Sequence, residues 1–254
     1  MTHYAELLKG LRSLSPRHSI WEVFSDFLLF AATSLSNAVD ARVREEREKE
    51  YMSRAARYTK EEMTQFAQCF GLLVEAVEES PEDILGKAYM DLEVSDKHTG
   101  QFFTPYCLCQ MMAKMQVDDR MRSLIEQHGF IRASEPACGG GAMIIALAQE
   151  MRAAGINYQQ KLHVTAQDLD IKSVHMTYIQ LTLLHVPAVV IHGNTLLMEE
   201  RSRWLTPAHI MGMWDFKIRR REAEDDRLEE LRKPRKNPRT APTSKRSDAA
   251  VDVT

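Results

Sequence analysis

At 254 residues, with 44% hydrophobic and 27% charged residues, the chain has the composition of a globular protein and length for one large or two small domains. No uninterrupted apolar run approaches the roughly 20 residues that cross a bilayer, and residues 1–12 lack the apolar core and small-residue cleavage site of a signal peptide; a cytoplasmic location is expected. The formal net charge of −3 hides an asymmetry: from Phe216 onward there are 12 basic and 8 acidic residues, which leaves 21 against 28 before it, so any attraction to a polyanion is carried by the end of the chain.

Residues 1–95 read as a helical domain. Residues 19–39 place Ile20, Val23, Phe24, Phe27 and Ala31 on one broad apolar face, and residues 41–57 are a charged run of strong helix formers. Thr59 and Glu62 have the spacing of a capping box, followed by Met63, Phe66, Phe70, Leu73 and Val77 along one side. Ser80-Pro81 reads as the cap and first residue of a further helix carrying Ile84, Leu85, Ala88 and Tyr89. The four cysteines are too few for a disulfide framework, and Cys107 and Cys109 have no second pair at zinc spacing, so reduced thiols and no metal are expected.

From about Phe130 the pattern changes to alternating strands and helices. Residues 130–134 form a short apolar run into Glu135-Pro136-Ala137-Cys138-Gly139-Gly140-Gly141, and residues 142–151 then read as a helix. Residues 162–166 and 188–191 read as second and third strands, with a helix over 171–184 between them; alternation of this kind implies a parallel sheet. A fourth strand is conceivable only at residues 214–218. Glycines at the carboxyl end of a strand let a backbone approach a ligand closely, and Asp168, at the end of the next strand, is placed to accept bonds from ribose hydroxyls. Together these point to a cofactor containing adenosine.

Three segments in order, Asp83-Ile84-Leu85-Gly86-Lys87-Ala88-Tyr89, Gly100-Gln101-Phe102-Phe103-Thr104-Pro105 and the run from Glu135 to Gly141, resemble the N6-adenine DNA methylases related to the modification subunit of type I restriction systems. The resemblance implies a Rossmann-like methyltransferase α/β fold, truncated here, over residues 96–218, after the helical domain. It also implies S-adenosylmethionine as cofactor. Phe103, Thr104 and Pro105 would close over its methionine end; Glu135, Pro136, Ala137, Cys138, Gly139 and Gly141 would form the cradle, and Asp168 would hold the ribose. Asn194 stands where many members of the family have an aspartate near the adenine amino group. Thr104-Pro105 independently reads as a helix cap with proline in the first turn. Cys138 lacks the Pro-Cys context of a cytosine methylase nucleophile and reads as a packing residue.

Methylation of an exocyclic amine needs hydrogen-bond acceptors for the amino group and an aromatic face for the flipped base. The family supplies them as Asn-Pro-Pro-Phe or Asn-Pro-Pro-Tyr, a tetrapeptide that occurs nowhere in this sequence, and a strand at 214–218 would end in Arg219, Arg220 and Arg221, which are donors only. Catalytic residues are therefore not assigned; His192, Asn194 and Asp215 are the nearest candidates, and Trp204 and Trp214 read as core. Residues 219–254 read as a charged, disordered tail in which Arg232, Lys233, Arg235, Lys236 and Arg239 would attract DNA weakly. A truncated sheet keeps an unprotected edge, so a second copy or a partner subunit is expected to complete it. Two functions follow: an adenine methylase of DNA, or an inactive relative that binds DNA or a restriction complex as an accessory or anti-restriction module.

Overall fold

The computed structural model describes residues 2–92 and 104–232, with side chains to residue 227. Five helices come first: α1 (His3–Leu14), α2 (Ile20–Asn37), α3 (Arg44–Ala55), α4 (Lys60–Glu79) and α5 (Ile84–Asp91). Then follow α6 (Tyr106–Gln116), α7 (Asp119–His128), β1 (Ile131–Glu135), α8 (Ala142–Ala153), α9 (Tyr158–Lys161), β2 (Leu162–Asp168), α10 (Ile171–Leu183), β3 (Ala188–Asn194), β4 (Glu199–Leu205), α11 (Pro207–Met211) and α12 (Trp214–Arg232). The fold is α/β. Its described sheet has the order β1-β2-β3-β4, with the first three strands parallel and β4 antiparallel to β3.

Local chemistry explains the helical starts. Ser19 with Glu22 and Thr59 with Glu62 form reciprocal capping boxes that begin α2 and α4. The helix after α4 starts later than Ser80-Pro81 suggests. Ser80 closes α4, its amide donating to Ala76, and Asp83 caps α5 by accepting from the Gly86 amide at 2.9 Å. An aspartate carboxylate, already held by Gln180 (2.8 Å), outcompetes the serine hydroxyl for this role.

Helix α10 is buried from Ser173 to Thr182 because it is covered on both sides. It meets β2 and β3 on one side and α2, α4 and α5 on the other. One continuous core therefore joins Phe24, Phe27 and Leu28 of α2 to Val174, Tyr178 and Ile179 of α10 and Val164 and Val190 of the sheet. The boundary expected at residue 95 lies outside the described residues; residues 1–216 form one compact unit. The buried Arg47 of α3 lies over the Trp204 ring at 3.6 Å and donates to Ser36 Oγ and to the Arg203 carbonyl (2.7 Å), which fastens α3 to β4.

Two expectations about the end of the sheet are corrected. The fourth strand is β4, whose Glu-Glu-Arg-Ser-Arg start hides it as polar sequence; charged side chains suit an outer strand. Residues 214–218 open α12 instead, and the expected tail is helical as far as Arg232. Its Arg220–Glu224 (3.2 Å) and Arg221–Asp225 (3.6 Å) pairs stand at the i,i+4 spacing that supports a helix. From Lys217 the chain is a second unit. Lys233, Arg235, Lys236 and Arg239 lie outside the described residues, as does the Arg232 side chain.

Two surfaces stay open. In the described sheet β1 is an edge strand, partly covered on the face of Ile131, Ala133 and Glu135 and exposed on that of Arg132 and Ser134. On α6, Leu108, Met111, Met112 and Met115 stand at helical spacing and are 44 to 75% exposed. No described helix is long and apolar enough to cross a membrane.

Candidate functional site

The carboxyl ends of β1 and β2 carry the glycine turn and Asp168. The Cys138 amide donates to the Gln167 carbonyl at 2.9 Å, which ties the turn to the end of β2. Gly139 and Gly141 have φ of 52° and 94°, the left-handed region in which a side chain is strained, so glycine is favoured at both and most strongly at Gly141. Asp168 then fixes the turn: its Oδ2 accepts the Gly139 amide at 2.9 Å and its Oδ1 the Asp170 amide at 2.9 Å. The carbonyls of the turn point to α10, where Thr177 Oγ1 donates to Gly139 O (2.9 Å) and Gln180 Nε2 to Gly140 O (2.7 Å).

A cavity of about 240 Å³ opens beside the turn. Of the residues singled out in the sequence, Thr104, Ala137, Cys138, Gly139 and Asp168 border it, with Gly140, Ala142, Met143, Cys109 and Asp83. Glu135 accepts the Ala137 amide through Oε1 at 3.3 Å, and the Pro136 carbonyl accepts from Thr195 Oγ1 at 2.7 Å, so both shape the turn from outside that lining. Gly141 begins α8. Cys138 is buried, and burial pushes its thiol up to about 12, so it stays protonated and unreactive at neutral pH.

Of three further expected positions, one differs in detail. Pro105 occupies the cap position of α6 and supplies no side-chain bond, so Thr104 is not the cap: it borders the cavity one residue earlier. Phe103 lies outside the described residues. Asn194 Oδ1 accepts the amides of Leu196 (3.0 Å) and Leu197 (3.2 Å), which commits that oxygen to the β3–β4 turn. The sequence reading missed Asp83 and Gln180. Asp83 was present in the first of the three family-like segments, but only the fold brings it against Gly140; the signal was a carboxylate followed three residues later by glycine.

Aromatic and titratable groups collect at the other end of the strands. His163 at the start of β2 and His209 of α11 share a 2.9 Å ring-nitrogen contact, and His209 Nε2 lies 3.2 Å from Asp215 Oδ1. Trp214, 1% exposed, packs on Phe130 and His163 with ring centroids 5.0 and 5.3 Å away. Burial pushes the His163 pKa down to about 3 and lowers that of His209. A second cavity of about 290 Å³, with Asp40 and Arg42 on its wall, adjoins this group. Asp215 thus stands at the amino ends of the strands, away from the glycine turn, and His192 Nε2 lies 3.2 Å from the Leu169 carbonyl. Trp204 and Trp214 are core residues, closed to a base.

Comparison with known proteins gives one family. The sequence model described as N-6 DNA Methylase matches residues 80–247. No curated protein matches the sequence. Among solved structures, the chain resembles a Listeria monocytogenes protein described as a class I S-adenosylmethionine-dependent methyltransferase, with 15% identity, TM-score 0.44 and coverage of 76% of this chain and 54% of the other. It also resembles the methyltransferase subunit of a type I restriction-modification system from Streptococcus thermophilus, with 15% identity, TM-score 0.43 and coverage of 76% and 58%. The chain therefore spans little more than half the length of either.

Proposed function

The chain belongs to the N-6 DNA methylase family, and from that premise we propose that residues 104, 135–141 and 168 hold S-adenosylmethionine at the carboxyl ends of the parallel strands. The observation that carries this reading is the glycine turn held by Asp168 beside an open cavity. The residues present fit such a group. A Cβ added at Gly140 would come within 2.9 Å of the Asp83 carboxylate, so this glycine lets that carboxylate stand beside the turn on the cavity wall. Each Asp168 oxygen accepts one described amide and keeps a lone pair for a ribose hydroxyl. The amides opening α8 meet no side-chain cap and suit the cofactor's carboxylate. When bound, the cofactor supplies an electrophilic methyl group; this chain's residues orient it and exclude water. Titration calorimetry with S-adenosylmethionine and S-adenosylhomocysteine tests the reading, and absence of binding by both at millimolar concentration would overturn it.

The acceptor side supports a narrower reading. No Asn-Pro-Pro-aromatic sequence is present, and Arg219, Arg220 and Arg221 lie on α12 rather than at a strand end. We infer that the purified chain alone has little or no adenine methylase activity. It either acts with a second copy or partner subunit at the β1 edge, or serves as a binding module that engages DNA through Arg232, Lys233, Arg235, Lys236 and Arg239. Mass spectrometry of nucleosides from DNA incubated with chain and cofactor decides between transfer and binding alone. Robust N6-methyladenine that vanishes in Asp168→Ala would show an unrecognised acceptor constellation. A salt-sensitive affinity for DNA lost on truncation after Arg227 is the expected result for the basic segment.

A further inference from the structure

We propose that Asp83 receives the α-ammonium of the bound cofactor's amino-acid part; the assignment rests on the S-adenosylmethionine reading above. Asp83 is 8% exposed and lines the cavity beside the glycine turn. Both of its described hydrogen bonds fall on one oxygen: Oδ1 accepts the Gly86 amide at 2.9 Å and Gln180 Nε2 at 2.8 Å. Oδ2 has no donor among the described residues, and no described lysine, arginine or histidine pairs with the carboxylate. A buried anion of this kind is costly without a partner charge. Burial accordingly pushes the Asp83 carboxyl up, against the pull of its two donors.

The carboxylate is also held rigidly. Gly86 and Gly140 press on it from two sides: a Cβ at Gly140 would lie 2.9 Å from Oδ1 and 3.0 Å from Oδ2, and one at Gly86 would overlap it. Gln180 bridges the assembly, donating to Asp83 Oδ1 and Gly140 O while its Oε1 accepts the Leu85 amide at 3.0 Å. A capping role alone uses Oδ1 and leaves the placement of Oδ2 without purpose. S-adenosylmethionine carries two positive centres, of which only the ammonium donates hydrogen bonds; the sulfonium cannot. With Asp168 placed for the ribose in the middle of the ligand, Asp83 is the other carboxylate lining the cavity and is left for the amino-acid end.

The test is titration calorimetry on the full chain with three ligands: S-adenosylhomocysteine, its analogue lacking only the α-amino group, and 5′-methylthioadenosine, which lacks the whole amino-acid part. The wild-type chain should bind the des-amino analogue about 10- to 100-fold more weakly than S-adenosylhomocysteine. Asp83→Asn should weaken S-adenosylhomocysteine by a similar factor and change 5′-methylthioadenosine by about twofold or less. Equal wild-type affinity for S-adenosylhomocysteine and the des-amino analogue would overturn the assignment while leaving the cofactor reading intact. Equal losses for S-adenosylhomocysteine and 5′-methylthioadenosine in Asp83→Asn would assign Asp83 a structural role only. Failure of the wild-type chain to bind any of the three would overturn the cofactor reading and the assignment with it. If Asp83→Asn does not fold, the wild-type comparison decides alone.

Discussion

The two ends of the sheet use polar residues in opposite ways. At the carboxyl ends, Asp83 and Asp168 are carboxylates fixed by amides, bordering a cavity and without a described cation to pair with. At the amino ends, His163 and His209 are neutral rings that bond to each other beneath Trp214, and the nearby Asp40 is already paired with Arg42 at 2.8 Å. The first arrangement keeps hydrogen-bonding capacity in reserve, whereas the second spends it within the fold. A polar cluster indicates a ligand only when its charge is left open toward space that a ligand can enter, and by that measure the larger cavity is the less informative.

Substitutions that separate folding from ligand binding test this contrast. The largest effect is expected from Trp214→Ala, which empties a site 1% exposed and should lower stability by about 3 to 5 kcal/mol in urea unfolding. Ligand affinity of the folded fraction should not change; if it falls, the two ends are coupled.

Acid should act at the same end. The His163 pKa is about 3 in the fold against an ordinary value near 6.5, so between these values the unfolded chain binds more protons. The stability this group contributes is present above pH ~6.5 and is lost as pH falls toward 3, on the order of a few kcal/mol. Burial holds His175, in α10, at about 3 as well, so His163→Asn should reduce the slope of stability against pH without abolishing it. Urea midpoints across that range are the measurement.

Asp168→Ala addresses the carboxyl end: it should weaken S-adenosylhomocysteine by roughly 1 to 3 kcal/mol in calorimetry, through loss of charge-assisted bonds. The smallest effect belongs to Asp215→Asn. Its side chain is 62% exposed, and losing a surface partner of His209 should cost about 0 to 1 kcal/mol in thermal unfolding and nothing in ligand affinity.

Legibility in the sequence follows the range of the interactions. The capping box at Thr59, the glycine turn and three parallel strands are written in neighbouring residues and were readable; the box at Ser19 is as local but was not read. The polar β4 was not, because its place depends on pairing with β3 and on Arg47, 157 positions before Trp204, reaching its ring. Residues 214–218 have apolar content that suits a strand, but the charge pairs that follow make them the start of a helix. Within the candidate site, Asp168 was readable from its spacing to Gly139. Asp83 was not, since its meaning comes from Gln180, 97 positions away.

The apolar stripe of α6 has a chemical consequence. Three of its four members are thioethers, and peroxide turns an accessible methionine into its sulfoxide, changing an apolar side chain into a polar one. Met111, Met112 and Met115 are open to such a reagent, whereas Met121, Met151 and Met176 are buried. One chain therefore carries both a reactive set and a shielded reference set. Mass shifts of its peptides after brief treatment with dilute peroxide would report whether the stripe is covered, and by the same chemistry an oxidising environment would erode whatever association depends on it.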